Sequence, residues 1–186
     1  MQKLLRTLEF AHMTVGRFVK SGDSVIDATA GNGNDTLFLA RLVGEKGRVF
    51  AFDVQEKAII NTKNLLQQNG LISRAQLIKD GHEHIEKYIG EEVSAVMFNL
   101  GYLPGGDHSI VTRPNHTIGG VEASLNLLSS EGVITLVVYT GHPGGQEEWN
   151  YLEKYVKNLN KKKYRVLLYK FLNTKESPFL VAVEKL

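Results

Sequence analysis

The stretch DATAGNGNDT, residues 27–36, lies between an apolar run and a helical pattern. Gly31 and Gly33 allow the backbone to turn tightly and to come close to a ligand, because glycine has no Cβ. A bare, polar turn at the end of a strand is typical of a site for a dinucleotide, a nucleotide phosphate or a sulfonium cofactor. These three ligands require different residues elsewhere in the chain.

Short apolar runs alternate with helical patterns along most of the chain. Strands separated by helices imply right-handed crossovers and a mostly parallel sheet. The predicted strands cover residues 24–29, 47–54, 75–80, 93–100 and 132–140, and the predicted helices cover residues 34–43, 55–69, 83–89, 117–130 and 146–160.

The last two apolar runs, residues 163–172 and 178–186, are separated only by NTKES. A connection this short cannot contain a crossover helix, so the two runs are predicted to form an antiparallel hairpin. The pattern as a whole predicts one α/β domain over residues 1–186, with an N-terminal helix over residues 3–19 that could cover the site.

The composition is that of an ordinary soluble globular protein. The chain has 186 residues, 42% of them hydrophobic and 23% charged, and its net charge is +2. No apolar run approaches the ~18 residues of a membrane span, and the first residues lack the apolar segment of a signal peptide. Cysteine is absent, which excludes disulfides and thiolate zinc sites and fits a reducing cytoplasm. We expect no metal site.

The turn differs from both phosphate-binding patterns. A dinucleotide motif would have a third glycine where Thr36 stands, and no Gly-Lys-Ser/Thr sequence of a P-loop is present. Asp27 lies four residues before Gly31, where a carboxylate suits a cationic ligand such as S-adenosylmethionine better than a pyrophosphate. A purely structural turn with a capping aspartate is the alternative.

Two further acids follow the next two strands. Asp53 is placed to accept both hydroxyls of a ribose. Asp80 could accept from an adenine amino group with Gly81 or His82 along the base, or could simply cap the following helix. The predicted cofactor-binding set is Asp27, Ala28, Gly31, Asn32, Gly33, Asn34, Asp35, Thr36, Asp53, Gln55, Asp80, Gly81, His82 and Asn99.

The fourth strand leads into NLGYLPGGDH, residues 99–108. The Asn99 side chain could orient an amine towards a methyl donor, and Tyr102 could stack on a base. Asp107 and His108 are candidates for removing the proton of an ammonium, since imidazole titrates near neutral pH. These four residues are the predicted catalytic set.

Three blocks in this order, DATAGNGNDT, NLGYLPGGDH and GHPGGQEEW (residues 141–149), resemble the YtqB/MnmM-type family of RNA methyltransferases, often described as "putative rRNA methylase". The resemblance implies a class I methyltransferase fold with strand order 3-2-1-4-5-7-6 and an antiparallel strand 7. It also implies S-adenosylmethionine as the methyl donor. The implied reaction is N-methylation of 5-aminomethyl-2-thiouridine at the tRNA wobble position, with rRNA or another acceptor as the alternative.

A tRNA anticodon region requires cationic and stacking contacts around the site. Arg113 and His116 are the predicted phosphate contacts, and His12 and His142 could line the pocket. The basic run at residues 161–165 could instead be a solvated edge.

Two other classes and one form of self-association stay open at this point. An NAD-dependent oxidoreductase is supported by Gly31, Gly33 and Asp53 but opposed by Thr36 and the terminal hairpin. A non-catalytic RNA-binding module would leave Asn99 without a role in chemistry. A homodimer is compatible with the sequence.

Overall fold

The computed structural model describes residues 4–101, 114–174 and 177–186, which form an α/β fold around a single sheet. The strands of this sheet are β1 Ser24–Asp27, β2 Arg48–Phe52, β3 Ala75–Ile78, β4 Val93–Asn99, β5 Leu128–Val138, β6 Tyr164–Tyr169 and β7 Phe179–Lys185.

Helices cover both faces of the sheet. Within the described ranges they are α1 Thr7–Val15, α2 Asn34–Leu42, α3 Glu56–Gln68, a 3₁₀ turn Ile72–Arg74, a 3₁₀ helix His82–Lys87, α4 Pro114–Leu127 and α5 Gly145–Lys157. None of these helices has the length and apolar character needed to cross a membrane.

The strand order is β3-β2-β1-β4-β5-β7-β6. β1 to β5 run parallel, whereas β7 is antiparallel to both β5 and β6. The predicted terminal hairpin and the predicted seven-stranded, mostly parallel sheet are therefore confirmed. The order reverses between β1 and β4, which places the switch point of the sheet beside the DATAGNGNDT turn.

Strands β1 and β2 end two residues earlier than predicted, because aspartates at their carboxyl ends bond to the backbone that follows. The Asp27 carboxylate accepts the N–H of Thr29 at 3.2 Å. The Asp53 carboxylate accepts the N–H of Gln55 at 2.9 Å. Such side-chain turns compete with strand pairing and direct the chain away from the sheet.

The N-terminal helix is shorter than the predicted span of residues 3–19. It begins after Arg6, whose backbone N–H donates to the Glu9 carboxylate at 3.0 Å and so satisfies a free group of the first turn. It ends at Val15, before Gly16.

Three other boundaries differ from prediction. The helix expected over residues 83–89 is the 3₁₀ helix His82–Lys87, and α4 begins three residues early at Pro114, since proline suits the first helical position. β5 begins four residues early at Leu128. Its first part is irregular, with Glu131 at φ 59°.

The core consists of two apolar layers, one on each face of the sheet. β4 shows the division, because successive side chains of a strand point to opposite faces. Val96 and Phe98 pack in the layer that includes side chains of α4 and α5. Ala95 and Met97 pack in the layer that includes side chains of α1, α2 and α3. Burial on both faces explains the continuous apolar run of this central strand.

Gly33 brings the turn after β1 into direct contact with α3. Its φ is 86°, and a Cβ at this position would lie 2.8 Å from the Cα of Thr62. Both the backbone conformation and the space therefore require glycine.

We predict that Gly33→Ala lowers the free energy of unfolding by clearly more than the ~1–2 kcal/mol of left-handed strain alone, because the new methyl group overlaps the backbone of α3. The control is Gly70→Ala. Gly70 also has a positive φ, 69°, but no heavy atom lies within 4 Å of its Cβ position. Urea denaturation of both variants is the measurement. Equal losses would contradict the close packing at Gly33.

Candidate active site

The turn after β1 lies between the ends of β2 and β4 at the carboxyl edge of the sheet. The Ala28 N–H donates to the backbone carbonyl of Met97 in β4 at 2.8 Å, and the Ala30 N–H donates to the backbone carbonyl of Phe52 in β2 at 2.8 Å. Because the carboxyl ends of parallel strands meet at one edge, the polar residues that follow β1 to β4 are brought together here.

Asp27 lies beneath this turn, with none of its surface exposed. Its carboxylate accepts the Thr36 hydroxyl at 2.6 Å and the Thr29 N–H at 3.2 Å. Burial, followed by the nearby charge of Asp35, raises the pKa of Asp27 to about 7. The sequence placed Asp27 on the ligand side of the turn, but a ligand would experience its charge without touching it in this conformation.

Asp53 holds the other side of the turn. Its two carboxylate oxygens accept the Gly31 N–H and the Gln55 N–H, both at 2.9 Å. Burial raises the pKa of the Asp53 carboxyl, while the hydrogen bonds from Gln55 and Gly31 oppose that rise. A carboxylate offers about four lone pairs, so Asp53 can position the turn and still accept a hydroxyl.

Helix α3 supports the turn from outside. Asn61 donates to the Asn32 side chain at 2.9 Å, and the Thr62 hydroxyl donates to the Gly31 carbonyl at 3.3 Å. Asn34 is the exposed first residue of α2. The turn is therefore fixed by contacts from α3 and from Asp53.

Asp80, after β3, already accepts three hydrogen bonds, each at 2.8 Å. The donors are His84, the Tyr88 hydroxyl and the Gly81 N–H. The hydrogen bond from His84 is the main cause that lowers the pKa of Asp80 to about 2. Asp80 is thus a stable anion at the edge of the cleft, and the capping alternative accounts for part of its bonding.

His82 lies inside the protein rather than on the open face of the cleft. It is 8% exposed and packs edge-to-face on Phe98 at 5.4 Å between ring centroids. Its Nδ1 lies 3.2 Å from the Ala28 carbonyl oxygen, and burial lowers the pKa of its imidazole. His82 is therefore buried beside Ala28, and a place along the base for Gly81 or His82 stays a prediction.

His12 connects α1 to the first turn of α2. Its Nε2 lies 2.6 Å from the carboxylate of Asp35, and its ring stacks on Phe38 with centroids 4.0 Å apart. The Asp35 side chain is 11% exposed and that of His12 is 31% exposed. The N-terminal helix is therefore attached to the first turn of α2 through a hydrogen bond between His12 and Asp35.

The end of β4 contacts both neighbouring loops. The Asn99 N–H donates to the Thr29 hydroxyl at 2.7 Å. The Cβ position of Gly101 lies 3.7 Å from His142 and 3.9 Å from the Tyr139 ring. His142 therefore lies near the end of β4, and its role in lining the pocket stays a prediction. Tyr102, Asp107, His108 and Arg113 lie outside the described residues.

His116 is half-exposed and its Nδ1 bonds to the carboxylate of Glu83. This contact joins the first turn of α4 to the 3₁₀ helix, and the contact of His116 with a phosphate stays a prediction. The basic run at residues 161–163 and Arg165 is exposed at the outer edge strand β6, two strands from β5.

Sequence reasoning missed two polar residues of the site, Thr29 and Tyr139. Tyr139 directly follows β5, and burial and the charge of Asp35 raise the pKa of its hydroxyl. Tyr139 could have been found by applying to β5 the rule used for the other strands, that polar residues just beyond a strand face the ligand. Thr29 was within the quoted stretch, but its bond to β4 depends on the sheet order.

Comparisons with known proteins agree with this geometry. The family model described as "Putative rRNA methylase" matches residues 49–184. A chloroplastic "tRNA (mnm(5)s(2)U34)-methyltransferase" of Arabidopsis thaliana is 37% identical over 97% of this chain and 69% of that protein.

Two solved structures are similar over nearly their full length. A "putative rRNA-methylase" from Clostridium thermocellum has a TM-score of 0.97 and 49% identity, covering 100% of both chains. A "putative methyltransferase" from Streptococcus mutans, solved in complex with SAH, has a TM-score of 0.90 and 39% identity, covering 98% of this chain and 99% of that chain. The fold is that of the class I methyltransferases, as the sequence predicts.

We predict that Asp27 makes the ligand-free protein less stable as the pH rises. Folding raises the pKa of Asp27 from 3.8 to about 7, so between these values the folded state binds more protons than the unfolded chain. Its contribution to stability is therefore fully present below about pH 4 and is lost as the pH rises through about 7.

Asp27→Asn should flatten this dependence, as measured by urea midpoints between about pH 5 and pH 8. Glu45→Gln, at an exposed position, is the control and should follow the wild type. A variant curve parallel to that of the wild type would show that Asp27 does not titrate in this range.

Proposed function

This chain belongs to the family described as "Putative rRNA methylase", and from that membership we propose that it is an S-adenosylmethionine-dependent tRNA methyltransferase. The proposed reaction is N-methylation of the 5-aminomethyl group of 2-thiouridine at the wobble position, which gives 5-methylaminomethyl-2-thiouridine. The observation that carries the proposal is the near-complete coverage of the chain by its similarity to the chloroplastic tRNA (mnm(5)s(2)U34)-methyltransferase.

The chemistry of the cleft fits S-adenosylmethionine. Asp27, Asp35 and Asp53 place three carboxylates around the turn, which favours a ligand with a sulfonium and an ammonium over a pyrophosphate. We assign the ribose hydroxyls to Asp53 and the adenine edge to Asp80 and Gly81. When bound, S-adenosylmethionine supplies a methyl group already activated by the positive sulfur.

The protein's own contribution to the reaction is then positioning and proton removal. An aliphatic amine is mostly protonated near pH 7 and must lose a proton before it can accept a methyl group. We propose that Asn99 orients the amine through its side-chain oxygen, with Tyr102 stacked on the base. Asp107 and His108 are the proposed groups that remove the proton.

The tRNA is proposed to approach from the side of α4. His116 presents a half-exposed ring at the first turn of this helix, three residues after Arg113. A helix N-terminus also attracts phosphates. Such local contacts make binding salt-dependent although the net charge of the protein is small. We also propose a cytoplasmic location, with which the absence of cysteine agrees.

We predict that the purified protein methylates tRNA carrying 5-aminomethyl-2-thiouridine, and that Asn99→Ala lowers the single-turnover rate by ~10²-fold or more, as for loss of one preorganised polar contact. Nucleoside mass spectrometry measures the product, and calorimetry should show nearly unchanged affinity for S-adenosylmethionine. The control is Asn150→Ala, at an exposed position on α5.

Two outcomes would contradict this prediction in different ways. If the wild type methylates rRNA but gives no product with this tRNA, the substrate is the rRNA named in the family description. A near-normal rate for Asn99→Ala would leave the reaction standing but remove Asn99 from its proposed role.

We also propose that two copies pair along β6. This outer strand pairs only with β7 among the described strands, and Val166, Leu167 and Leu168 are 42%, 49% and 49% exposed. Exposed apolar side chains thus lie on both faces of β6, next to the N–H and C=O groups along its outer edge. This combination favours edge-to-edge association. Antiparallel pairing of β6 with itself would be symmetric about the middle of the strand.

Leu167→Lys is predicted to convert such a dimer to a monomer, because the symmetry brings the new charges close together. Sedimentation velocity measures the state. Tyr151→Lys, at an exposed aromatic position on α5, is the control that should leave the dimer intact. A monomeric wild type would exclude the pairing.

A further inference from the structure

Thr117 of α4 and Glu148 of α5 form a buried polar contact away from the cofactor turn. Thr117 is 0% exposed and Glu148 is 1% exposed. The Thr117 hydroxyl donates to the Glu148 carboxylate at 2.5 Å. Burying a carboxylate is costly unless it is well hydrogen-bonded, so this contact requires a physical account.

Both residues lie in the first turn of their helices. Thr117 is three residues after Pro114, the first described residue after the segment that contains Asp107 and His108. The Glu148 N–H donates to the Gly144 carbonyl at 2.9 Å, which closes the first turn of α5. The contact therefore joins the starts of the two helices that follow β4 and β5.

The start of α5 is in turn packed against the residues after β5. A Cβ on Gly145 would lie 2.5 Å from the Tyr139 carbonyl oxygen and 2.9 Å from Nε2 of His142. His142 and Tyr139 lie near Gly101 at the end of β4. A shift of α5 at Gly145 would thus be transmitted to Tyr139 and His142, and through them to Gly101 at the end of β4.

We propose that Thr117 and Glu148 are positioning residues for methyl transfer, which hold the starts of α4 and α5 in register and thereby fix the acceptor wall. The acceptor wall comprises Asn99, Tyr139 and His142. This inference rests on the proposed function, since it assigns the wall to the amine acceptor.

Stability alone does not account for a buried carboxylate at this position. An apolar pair of similar volume between α4 and α5 would fill the space without the desolvation cost of the charge. The positive end of α5 offsets part of that cost, because Glu148 lies in its first turn. What the charged hydrogen bond adds is a fixed distance and direction between two helix starts.

The cofactor side of the cleft is built from other elements. Gly31 is held by Asp53, which follows β2, and Asn32 is held by Asn61 of α3. Asp80 accepts its hydrogen bonds from His84, Tyr88 and Gly81. The start of α4 touches the 3₁₀ helix at Glu83, through His116, and takes part in none of these bonds. Loss of the Thr117–Glu148 contact should therefore affect the transfer rate without changing affinity for S-adenosylmethionine.

The test compares Thr117→Val, which keeps the shape but removes the donor, with Thr117→Ser, which keeps the hydroxyl. Single-turnover methylation of tRNA should fall by ~10-fold or more in Thr117→Val and stay near the wild-type rate in Thr117→Ser. Calorimetry should show equal affinity for S-adenosylmethionine in both. Glu147→Gln, exposed in the same turn of α5, is the matched control for Glu148→Leu.

A double-mutant cycle completes the design. If the two residues act together, Thr117→Val should cause little further loss of rate in the Glu148→Leu background. The inference would be overturned if the wild type methylates tRNA and Thr117→Val does so at the same rate. It would also be overturned if Thr117→Val and Thr117→Ser lose the same fraction of the methylation rate. Lower melting temperatures with normal rates would assign the contact to stability alone. Absence of wild-type methylation would instead reject the proposed function.

Discussion

The Asp27 carboxylate, buried without exposed surface beneath the turn after β1, is the interaction around which the ligand end of the sheet is organised. It accepts hydrogen bonds from the Thr36 hydroxyl, at the start of α2, and from the Thr29 backbone N–H. The Thr29 hydroxyl in turn accepts a hydrogen bond from the Asn99 backbone N–H. One buried acid thus links the cofactor turn, the first turn of α2 and the end of β4, and it keeps the cofactor and acceptor sides of the cleft at a fixed separation.

The charges around this acid explain the type of ligand. Asp35 lies close enough for its charge to raise the pKa of Asp27, and its carboxylate contacts His12. A cluster of acids in a partly dry cleft is unfavourable without a cation. Binding of a sulfonium cofactor would relieve that repulsion. The same carboxylates therefore destabilise the ligand-free site and favour a positively charged ligand. The contact with His12 adds α1 to this arrangement.

The two sides of the cleft depend on different parts of the fold. β1, β2 and β3 with α2 and α3 surround the turn after β1, whereas β4 and β5 lead into the proposed acceptor wall, which α4 and α5 adjoin. The division follows from the sheet order, which reverses between β1 and β4. The same order leaves β6 at the outer edge, where its apolar side chains are exposed.

The sequence by itself determined the fold class, the terminal hairpin and the type of cofactor. These depend on local features: alternation of apolar runs, a five-residue connection between the last two runs, and acids placed directly after strands. The identity of Asp27, Gly31 and Asp53 as the residues around the turn was readable for the same reason, since strand ends in a parallel sheet share one edge.

Tertiary structure alone decided which of these side chains are buried and which partners they bond to. Sequence spacing cannot distinguish a residue on the cleft from one beneath it. Gly81 and His82 were therefore equal candidates to lie along a base, although His82 is buried against Phe98. Direct contact between a ligand and Asp27 was expected for the same reason. The Thr117–Glu148 contact joins residues 31 positions apart, and no local pattern marks it. Burial and long-range partners are properties of how the helices pack on the sheet, and the physical reason is that packing is set by side chains distant in sequence.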